Sequence, residues 1–345
     1  MYIIATISRK QSGTDAVKHI INAGANVLRY NFAYGEVGET LDAIKKDRAI
    51  IKALKVANKV FIMADLPGSK IRLGKIENDE LFVGVGDEVC FMGQGGNFND
   101  CTATVPVNTK KLGLLVKNNS IITIGDGEIA LRVSKVIDDN SFVATVLNSG
   151  TIISHKALNV GGGIDSLDHL SQMRNYFDVV AEIKPDWVAL SFVSDDKYVA
   201  MVRSELNSLN PKWNPKIVSK IESPAAVKNI NKIINSTDMV IVARGDLGLS
   251  CDISKLGIYQ KQIISLANEM GKKVFVSTQV LNSILSAYVP HRSEVLDVTN
   301  IFLDGADGVM LVDEIVKNTE PQRAVLFIKE VAKQVKKYIN HGKNR

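Results

Sequence analysis

The 345-residue sequence predicts an α/β fold, a (β/α)8 TIM barrel with a small all-β domain inserted after the third strand. Toward both ends of the chain, short apolar runs alternate with amphipathic stretches of helical length. In the middle, short alternating runs are separated by turn residues, as in an antiparallel β domain. Polar side chains directly follow several apolar runs, at the strand edge where such barrels bind ligands.

The elements before the insertion alternate as a barrel requires. Strands are expected at 2–7, 26–30 and 60–64, and helices at 15–22 and 40–57. Arg29 and Asn31 stand at the end of the second strand, and Asp65 ends the third. The alternating runs, at 81–83, 88–92, 102–105, 120–124, 128–136 and 141–147, then lie within residues 73–158, which we predict to be the inserted β domain. The barrel is accordingly assigned to 1–72 and 159–345.

The barrel pattern returns after the insertion. Helices are expected at 166–182, 196–208, 255–270, 293–303 and 321–339, and strands at 187–191, 216–218, 239–243, 273–277 and 308–312. The strands at 216–218 and 239–243 flank an amphipathic stretch, which indicates a strand–helix–strand crossover. With the three earlier strands the total is eight, the number that closes this type of barrel.

Composition narrows the class of protein. A hydrophobic share of 46% with 23% charged residues is ordinary for a soluble domain, and no apolar run reaches the length of a membrane span. The net charge of +5 is not concentrated in a nucleic-acid footprint. Without a secretory signal, we expect a cytoplasmic protein with no membrane or nucleic-acid partner. The odd number of cysteines (Cys90, Cys101, Cys251) indicates neither a disulfide framework nor a zinc site.

Two charge pairs follow neighbouring strands within 216–248. Lys220 and Glu222 come after the first strand, and Arg244 and Asp246 after the second, so both pairs are expected at the same edge of the barrel. Two carboxylates beside a cation could hold a divalent metal and an anion bound to it. An ordinary ion-pair network, with Asp246 as a helix N-cap, explains the same spacing.

Nine stretches of the sequence together resemble the pyruvate kinase family, in the order that the family has them. They are NVLRYNF (26–32), DLPGSKIR (65–72), GDGEIAL (125–131), SFVS (191–194), SKIES (219–223), VARGDLG (242–248), STQVL (277–281), PHRSEVLDVTN (290–300) and DGADGVML (304–311). The resemblance covers nearly the whole chain and implies a TIM barrel with an inserted β lid. It also leads us to expect a chain without the family's usual C-terminal α/β domain.

The resemblance implies a role for individual residues on the phosphoenolpyruvate side. Glu222 and Asp246 correspond to the ligands of the catalytic Mg²⁺ or Mn²⁺. Residues implied at the phosphoryl group and the enolate are Lys220, Thr278, Arg29 and Arg72, and substrate contacts are implied for Arg29, Ser191, Lys220, Gly245, Asp246 and Thr278. Thr278 matches the residue where the enolate is protonated. A hydroxyl capping the next helix is the simpler interpretation, and the two roles can coexist.

The resemblance also implies the nucleotide and potassium sites. Nucleotide contacts are expected from Asn31, Tyr34, Asp126 and Lys156, while Asp126 before Gly127 is also typical of a hairpin turn. Lys70 stands where the family carries either a glutamate, which recruits potassium, or a lysine, which replaces it. Potassium is therefore not expected to be required. The segment 290–300 matches the family's barrel-pairing region, which predicts a homodimer.

The sequence departs from the family pattern mainly at residues implied to lie near the nucleotide. They are the first loop (Ser8, Arg9, Lys10, Gln11), Ala33, Tyr34, Gly161 and Asn282. Three functions therefore stay open: metal-dependent phosphoryl transfer from phosphoenolpyruvate to ADP, giving pyruvate; a phosphoenolpyruvate or pyruvate-enolate enzyme with another acceptor, or a lyase; and an inert metabolite-binding relative.

Overall fold

The structure is a computed structural model that describes residues 1–33, 37–68, 70–96, 103–160 and 166–342. Tyr34, Cys101 and Gly161 lie outside these ranges. The first elements are β1 (Tyr2–Thr6), α1 (Asp15–Ala23), β2 (Val27–Asn31), α2 (Val37–Ala53) and β3 (Phe61–Leu66). Helix α1 is capped by the Thr14 side chain, which accepts a hydrogen bond from the Ala16 amide, and it ends at Gly24.

The inserted segment consists of short strands with a core of their own. The strands are β4 (Glu80–Val83), β5 (Glu88–Met92), β6 (Thr104–Pro106), β7 (Ile121–Ile124), β8 (Ile129–Asp138), β9 (Ser141–Val146), β10 (Gly150–Ile153) and β11 (Leu158–Asn159). Six form one sheet in the order β11-β7-β8-β9-β5-β6, and β10 pairs with β4. Inside, Phe91 stacks on Phe142 with ring centroids 5.1 Å apart. The sequence did not predict β10 and β11.

The barrel resumes after the lid. Its elements are α3 (Ser166–Ile183), β12 (Trp187–Leu190), α4 (Asp196–Leu209), β13 (Lys216–Ile221), α5 (Pro224–Lys228), α6 (Ile230–Ser236), β14 (Met239–Ala243), α7 (Arg244–Ser250), α8 (Leu256–Glu269), β15 (Lys273–Ser277), α9 (Arg292–Leu303), β16 (Gly308–Leu311), α10 (Asp313–Val316) and α11 (Gln322–Gly342). The crossover between β13 and β14 holds two short helices that meet at Asn229.

Eight parallel strands close the predicted barrel in the order β1-β16-β15-β14-β13-β12-β3-β2. Large side chains such as Met63, Ile241 and Phe275 fill its interior, and a second apolar layer lies between strands and helices. Tyr2, which begins β1, packs its ring against that of Trp187, which begins β12, with centroids 5.5 Å apart. Because this aromatic packing fills the amino-terminal end, the carboxyl edge is the face left for ligands.

Three further expectations bear on the fold. No helix in the part of the chain that the structure describes has the length and apolarity needed to cross a bilayer. Cys90 is disulfide-bonded, whereas Cys251 is free; the sequence argument against a disulfide framework did not predict this bond. The limits of the lid at 73 and 158 stay a prediction.

Candidate active site

Asp65 is the centre of a buried charge cluster at the carboxyl edge of the barrel. Its Oδ2 accepts hydrogen bonds from Arg29, with Nε at 2.7 Å and Nη2 at 2.6 Å. Its Oδ1 lies 3.0 Å from Lys220 Nζ. Strands β2, β3 and β13 each supply one of these three side chains, so the barrel itself brings the cluster together. Arg29 is held further by a hydrogen bond from Nη1 to Thr6 Oγ1 at 2.9 Å.

Paired charges keep this cluster ionised. Burial alone would raise the pKa of Asp65, but the positive charges of Lys220 and Arg29 outweigh burial and lower it. Burial would likewise lower the pKa of Lys220, whereas the charges of Asp65 and Glu222 raise it. The cations of Arg29 and Lys220 are therefore held side by side, an arrangement that suits an anionic ligand.

Each of the two predicted metal ligands is paired with a lysine. Glu222 Oε1 lies 3.4 Å from Lys220 Nζ, and Glu222 Oε2 accepts a hydrogen bond from the Phe192 amide at 2.5 Å. Asp246 Oδ1 lies 2.5 Å from Lys70 Nζ. The alternative assignment of Asp246 as a helix N-cap is wrong, because α7 has Ala243 at that position and Asp246 lies in its first turn.

The carboxylates at this edge fit a divalent cation. Burial raises the pKa of Glu222, and the negative charges of Asp246 and Asp65 raise it further, whereas the charge of Lys220 and the hydrogen bond from the Phe192 amide offset this only in part. Among the described residues, no group of three or more His, Cys, Asp or Glu side chains is arranged to hold a metal. A two-carboxylate site still suits Mg²⁺, which commonly takes its other ligands from substrate and water.

Thr278 lies in a strained turn that is clamped from two sides. Its φ of +75° is in the left-handed region, which a β-branched residue rarely adopts. Arg244 Nη2 donates to the carbonyl oxygens of Thr278 at 2.8 Å and Gln279 at 3.1 Å. Glu314 Oε1 accepts hydrogen bonds from the amides of Val280 and Leu281, each at 3.1 Å. The turn is therefore preorganised, as strained backbone at functional sites commonly is.

The Thr278 side chain also lies close to Gly245, in the first turn of α7. A Cβ atom at position 245 would lie 2.9 Å from Thr278 Cγ2, so glycine is what allows this close approach. The following 3-10 helix, Asn282–Leu285, has Leu281 as its N-cap, so the helix-capping interpretation of Thr278 is wrong.

A cavity of about 550 Å³ lies between the lid and this part of the barrel. Gly245 and Thr278 line it from the barrel, and Asp126 lines it from the lid. Asp126 lies in the turn between β7 and β8, as the hairpin interpretation predicted. The hydrogen bond and charge of Asp313, with a smaller contribution from Asp126, raise the pKa of Lys317. The lid turn is therefore electrostatically close to the end of β16.

A second cavity, of about 740 Å³, adjoins the first. Its walls include the first loop (Ser8, Arg9, Lys10, Gln11). Arg29 and Asn31 line it from β2, and Val312 and Asp313 line both cavities. The departures from the family pattern in the first loop thus fall on the wall of this second cavity.

The other predicted site residues lie on the lid or support the barrel edge. Arg72 Nη1 donates to the carbonyl oxygen of His155 at 3.0 Å, so its guanidinium contacts the lid backbone. Lys156 Nζ lies 3.0 Å from Glu128 Oε1. Ser191 Oγ donates to the Leu66 carbonyl oxygen at 2.6 Å and braces the turn after β3. Tyr34 is outside the described residues.

The site assignment made from the sequence missed Asp65 and Glu314. Both directly follow the strand pattern, Asp65 at the end of β3 and Glu314 just after β16. The strand-end argument that selected Glu222 and Asp246 applies equally to Asp65. Glu314 gave a weaker signal, because its partners are backbone amides that the sequence does not reveal.

Comparisons of the sequence and the fold with known proteins match the chain to one family. The family model described as "Pyruvate kinase, barrel domain" matches residues 1–325. The chain is 35% identical to a pyruvate kinase of Thermococcus litoralis, covering 97% of this chain and 70% of that protein. It is 32% identical to one of Clostridium perfringens, covering 99% and 71%. A crystal structure of a pyruvate kinase from Cryptosporidium parvum superposes with a TM-score of 0.89 at 30% identity, covering 97% and 68%. The chain belongs to the pyruvate kinase family.

Proposed function

We propose that this protein transfers the phosphoryl group of phosphoenolpyruvate to ADP in a metal-dependent reaction that yields pyruvate. The observation that carries the proposal is the buried cluster of Arg29, Asp65, Lys220 and Glu222, in which two cations converge beside a carboxylate. Phosphoryl transfer depends mainly on positioning and on neutralising charge, which such a cluster can provide without covalent catalysis.

Glu222 and Asp246 would hold Mg²⁺ or Mn²⁺. Together with Lys70, Arg29, Asp65 and Lys220 they make three cations and three carboxylates, with a net formal charge of zero. A bound divalent cation would make the site positive, as an anionic substrate requires, and would stabilise negative charge on the enolate oxygen. Arg29 and Lys220 would bind the phosphoryl oxygens, and Arg72 would approach them from the lid.

Thr278 would act where the enolate receives its proton. Its hydroxyl-bearing side chain lines the first cavity beside Gly245, and the clamped turn restricts its movement. A fixed polar group can hold a proton donor, such as water, close to the methylene carbon of the enolate.

The acceptor would bind in the second cavity. Among its described lining residues are four cations, Arg9, Lys10, Arg29 and Lys317, of which Arg9, Arg29 and Lys317 are paired with Glu39, Asp65 and Asp313. Cationic side chains in the wall of a cavity suit the phosphates of a nucleotide. Because Val312 and Asp313 line both cavities, donor and acceptor would meet there, with Asn31 and Asp126 near the nucleotide. For Lys156, a nucleotide contact rests on the family resemblance alone.

A coupled assay of pyruvate formation tests the proposal. Phosphoenolpyruvate turnover should require a divalent metal and ADP, and chelation should abolish it. Running the same assay with other nucleoside diphosphates, and without any acceptor, separates the kinase from an enolate enzyme with another acceptor. A folded protein that binds phosphoenolpyruvate with no acceptor-dependent turnover would favour the inert-relative alternative.

The predicted homodimer and cytoplasmic location belong to this proposal. Exposed apolar side chains at Tyr288, Val289 and Leu296 adjoin or lie within the segment 290–300 that is expected to pair. Light scattering should give twice the mass of one chain, and a monomer or tetramer would contradict this part of the proposal.

A further inference from the structure

A buried carboxylate outside the charge cluster lies beneath the wall of the second cavity. Asp47, on α2, is fully buried. Its Oδ1 accepts a hydrogen bond from the Gly13 amide at 2.7 Å, and its Oδ2 accepts one from the Tyr30 hydroxyl, also at 2.7 Å. Aspartate is rarely buried without partners, and here the two closest partners are neutral donors.

The partners of Asp47 belong to the elements that line this cavity. Gly13 ends the loop that begins at Ser8, and Tyr30 lies on β2 directly after Arg29. Tyr30 itself lines the cavity, as does Ala43 on α2. Ser12 Oγ donates to the Ala43 carbonyl oxygen at 2.8 Å, so the loop is also tied to α2 next to Asp47. One carboxylate thus joins the loop, the strand and the helix.

The loop has a second anchor at its other end. Gln11 Oε1 accepts hydrogen bonds from the amide and hydroxyl of Ser8, at 3.1 and 2.8 Å, and Gln11 Nε2 donates to the Ile315 carbonyl oxygen at 2.7 Å. At the anchor on Asp47, Gly13 has a φ of +75°, which glycine adopts without strain. Two tethers and a fixed turn define the position of Arg9 and Lys10.

Keeping a carboxylate at this position costs free energy. Burial raises the pKa of Asp47, and the hydrogen bonds from Gly13 and Tyr30 offset burial only in part. Apolar side chains of similar size would pack there without that cost. A costly buried group with directional partners specifies one geometry, here that of the loop.

We propose that Asp47 is a positioning residue for the phosphoryl acceptor, which holds the loop 8–13 as the wall against which a nucleoside diphosphate binds. This inference rests on the proposed function and extends it to a residue that does not touch either substrate. Asp47 would act through Gly13 and Tyr30 and would leave the phosphoenolpyruvate side unchanged.

Asp47→Asn is the decisive variant, because it keeps the size of the side chain and removes its charge. We expect the KM for ADP to rise about tenfold, the factor that one hydrogen bond to a charged group is worth. The kcat and the KM for phosphoenolpyruvate should stay within about twofold. Exchange of pyruvate methyl protons with deuterated solvent, measured without nucleotide, should be unchanged.

Two further variants separate positioning from general stability. Tyr30→Phe removes one donor and leaves Asp47 in place, so the KM for ADP should rise about threefold, and this variant decides the matter where Asp47→Asn does not fold. Asp238→Asn is the matched control. Asp238 Oδ2 accepts hydrogen bonds from the Ile217 amide and Arg203 Nη2, both at 2.9 Å, at the opposite end of the barrel. This control should lower the melting temperature without changing the KM for ADP.

The results distinguish this inference from the proposed function. A wild-type protein without ADP-dependent turnover would remove the proposed function, and this inference with it. Turnover in the wild type with an unchanged KM for ADP in the folded variants would overturn the role of Asp47 alone. Equal rises in both KM values, or a parallel loss of proton exchange, would also overturn it, since they indicate a general structural role.

Discussion

The proposed phosphoenolpyruvate side and the acceptor side are held together by different interactions. On the first, Asp65, Lys220 and Glu222 stand at strand ends, each at most 8% exposed, and opposite charges fix one another. On the second, the wall is a loop tied to α2 through a hydrogen bond to Asp47 and to α10 through one from Gln11. Charges at strand ends are positioned by the barrel, whereas a loop can change its sequence if its anchors hold.

This difference predicts that substitutions should separate the two half-sites. Changes in the charge cluster should impair phosphoenolpyruvate turnover and pyruvate enolisation together and leave ADP binding intact. Changes in the loop anchors should do the reverse.

The largest effect is expected from Glu222→Gln. Losing a proposed metal ligand should lower kcat at least about a thousandfold, because a bound metal contributes several kcal/mol to the transition state. The variant should fold, since glutamine keeps an acceptor for the Phe192 amide and removes one of the charges that repel each other. A coupled assay and a thermal melt measure both quantities. Glu269→Gln, on the exposed surface of α8, is the control. Full activity in Glu222→Gln would contradict the assignment of Glu222 as a metal ligand.

Thr278→Val tests the enolate step without the acceptor. Pyruvate bound with metal and a phosphate-like anion should exchange its methyl protons with deuterated solvent, which NMR follows as loss of the methyl signal. Valine keeps a methyl against Gly245 and loses the hydroxyl, so exchange should slow about a hundredfold while pyruvate binding changes little. No exchange in the folded, metal-loaded wild type would remove the enolate from the mechanism and favour the inert relative.

Asp65→Asn should have a smaller effect on the same side. Asparagine can accept one hydrogen bond but no longer balances Arg29 and Lys220, so both cations should lose their fixed positions. We expect kcat/KM for phosphoenolpyruvate to fall about 10- to 100-fold, as is common for residues that orient catalytic groups, with the KM for ADP unchanged. A larger effect on the KM for ADP than for phosphoenolpyruvate would contradict the division into two half-sites.

The sequence revealed the phosphoenolpyruvate side better than the acceptor side for a physical reason. Strand ends follow from the alternation of apolar runs, so the sequence alone could assign Lys220, Glu222 and Asp246 to one edge of the barrel. The contact between Tyr30 and Asp47 joins a strand to the following helix at a position where periodicity predicts apolar side chains. The short strands β10 and β11 were missed because their pairing depends on distant partners, Val83 and Ile124 among them.

The smallest expected effect concerns Lys70, whose ammonium group lies 2.5 Å from Asp246 Oδ1. As a fixed cation it should make potassium unnecessary, so the wild type should be equally active in buffers with and without potassium. Lys70→Glu should lower activity in potassium-free buffer about tenfold, and added potassium should restore part of it, because the ion would supply the missing charge. Lys333→Glu, on the exposed face of α11, is the matched charge change and should acquire no such dependence. Negligible wild-type activity that potassium restores would show that Lys70 does not serve as the cation of this site.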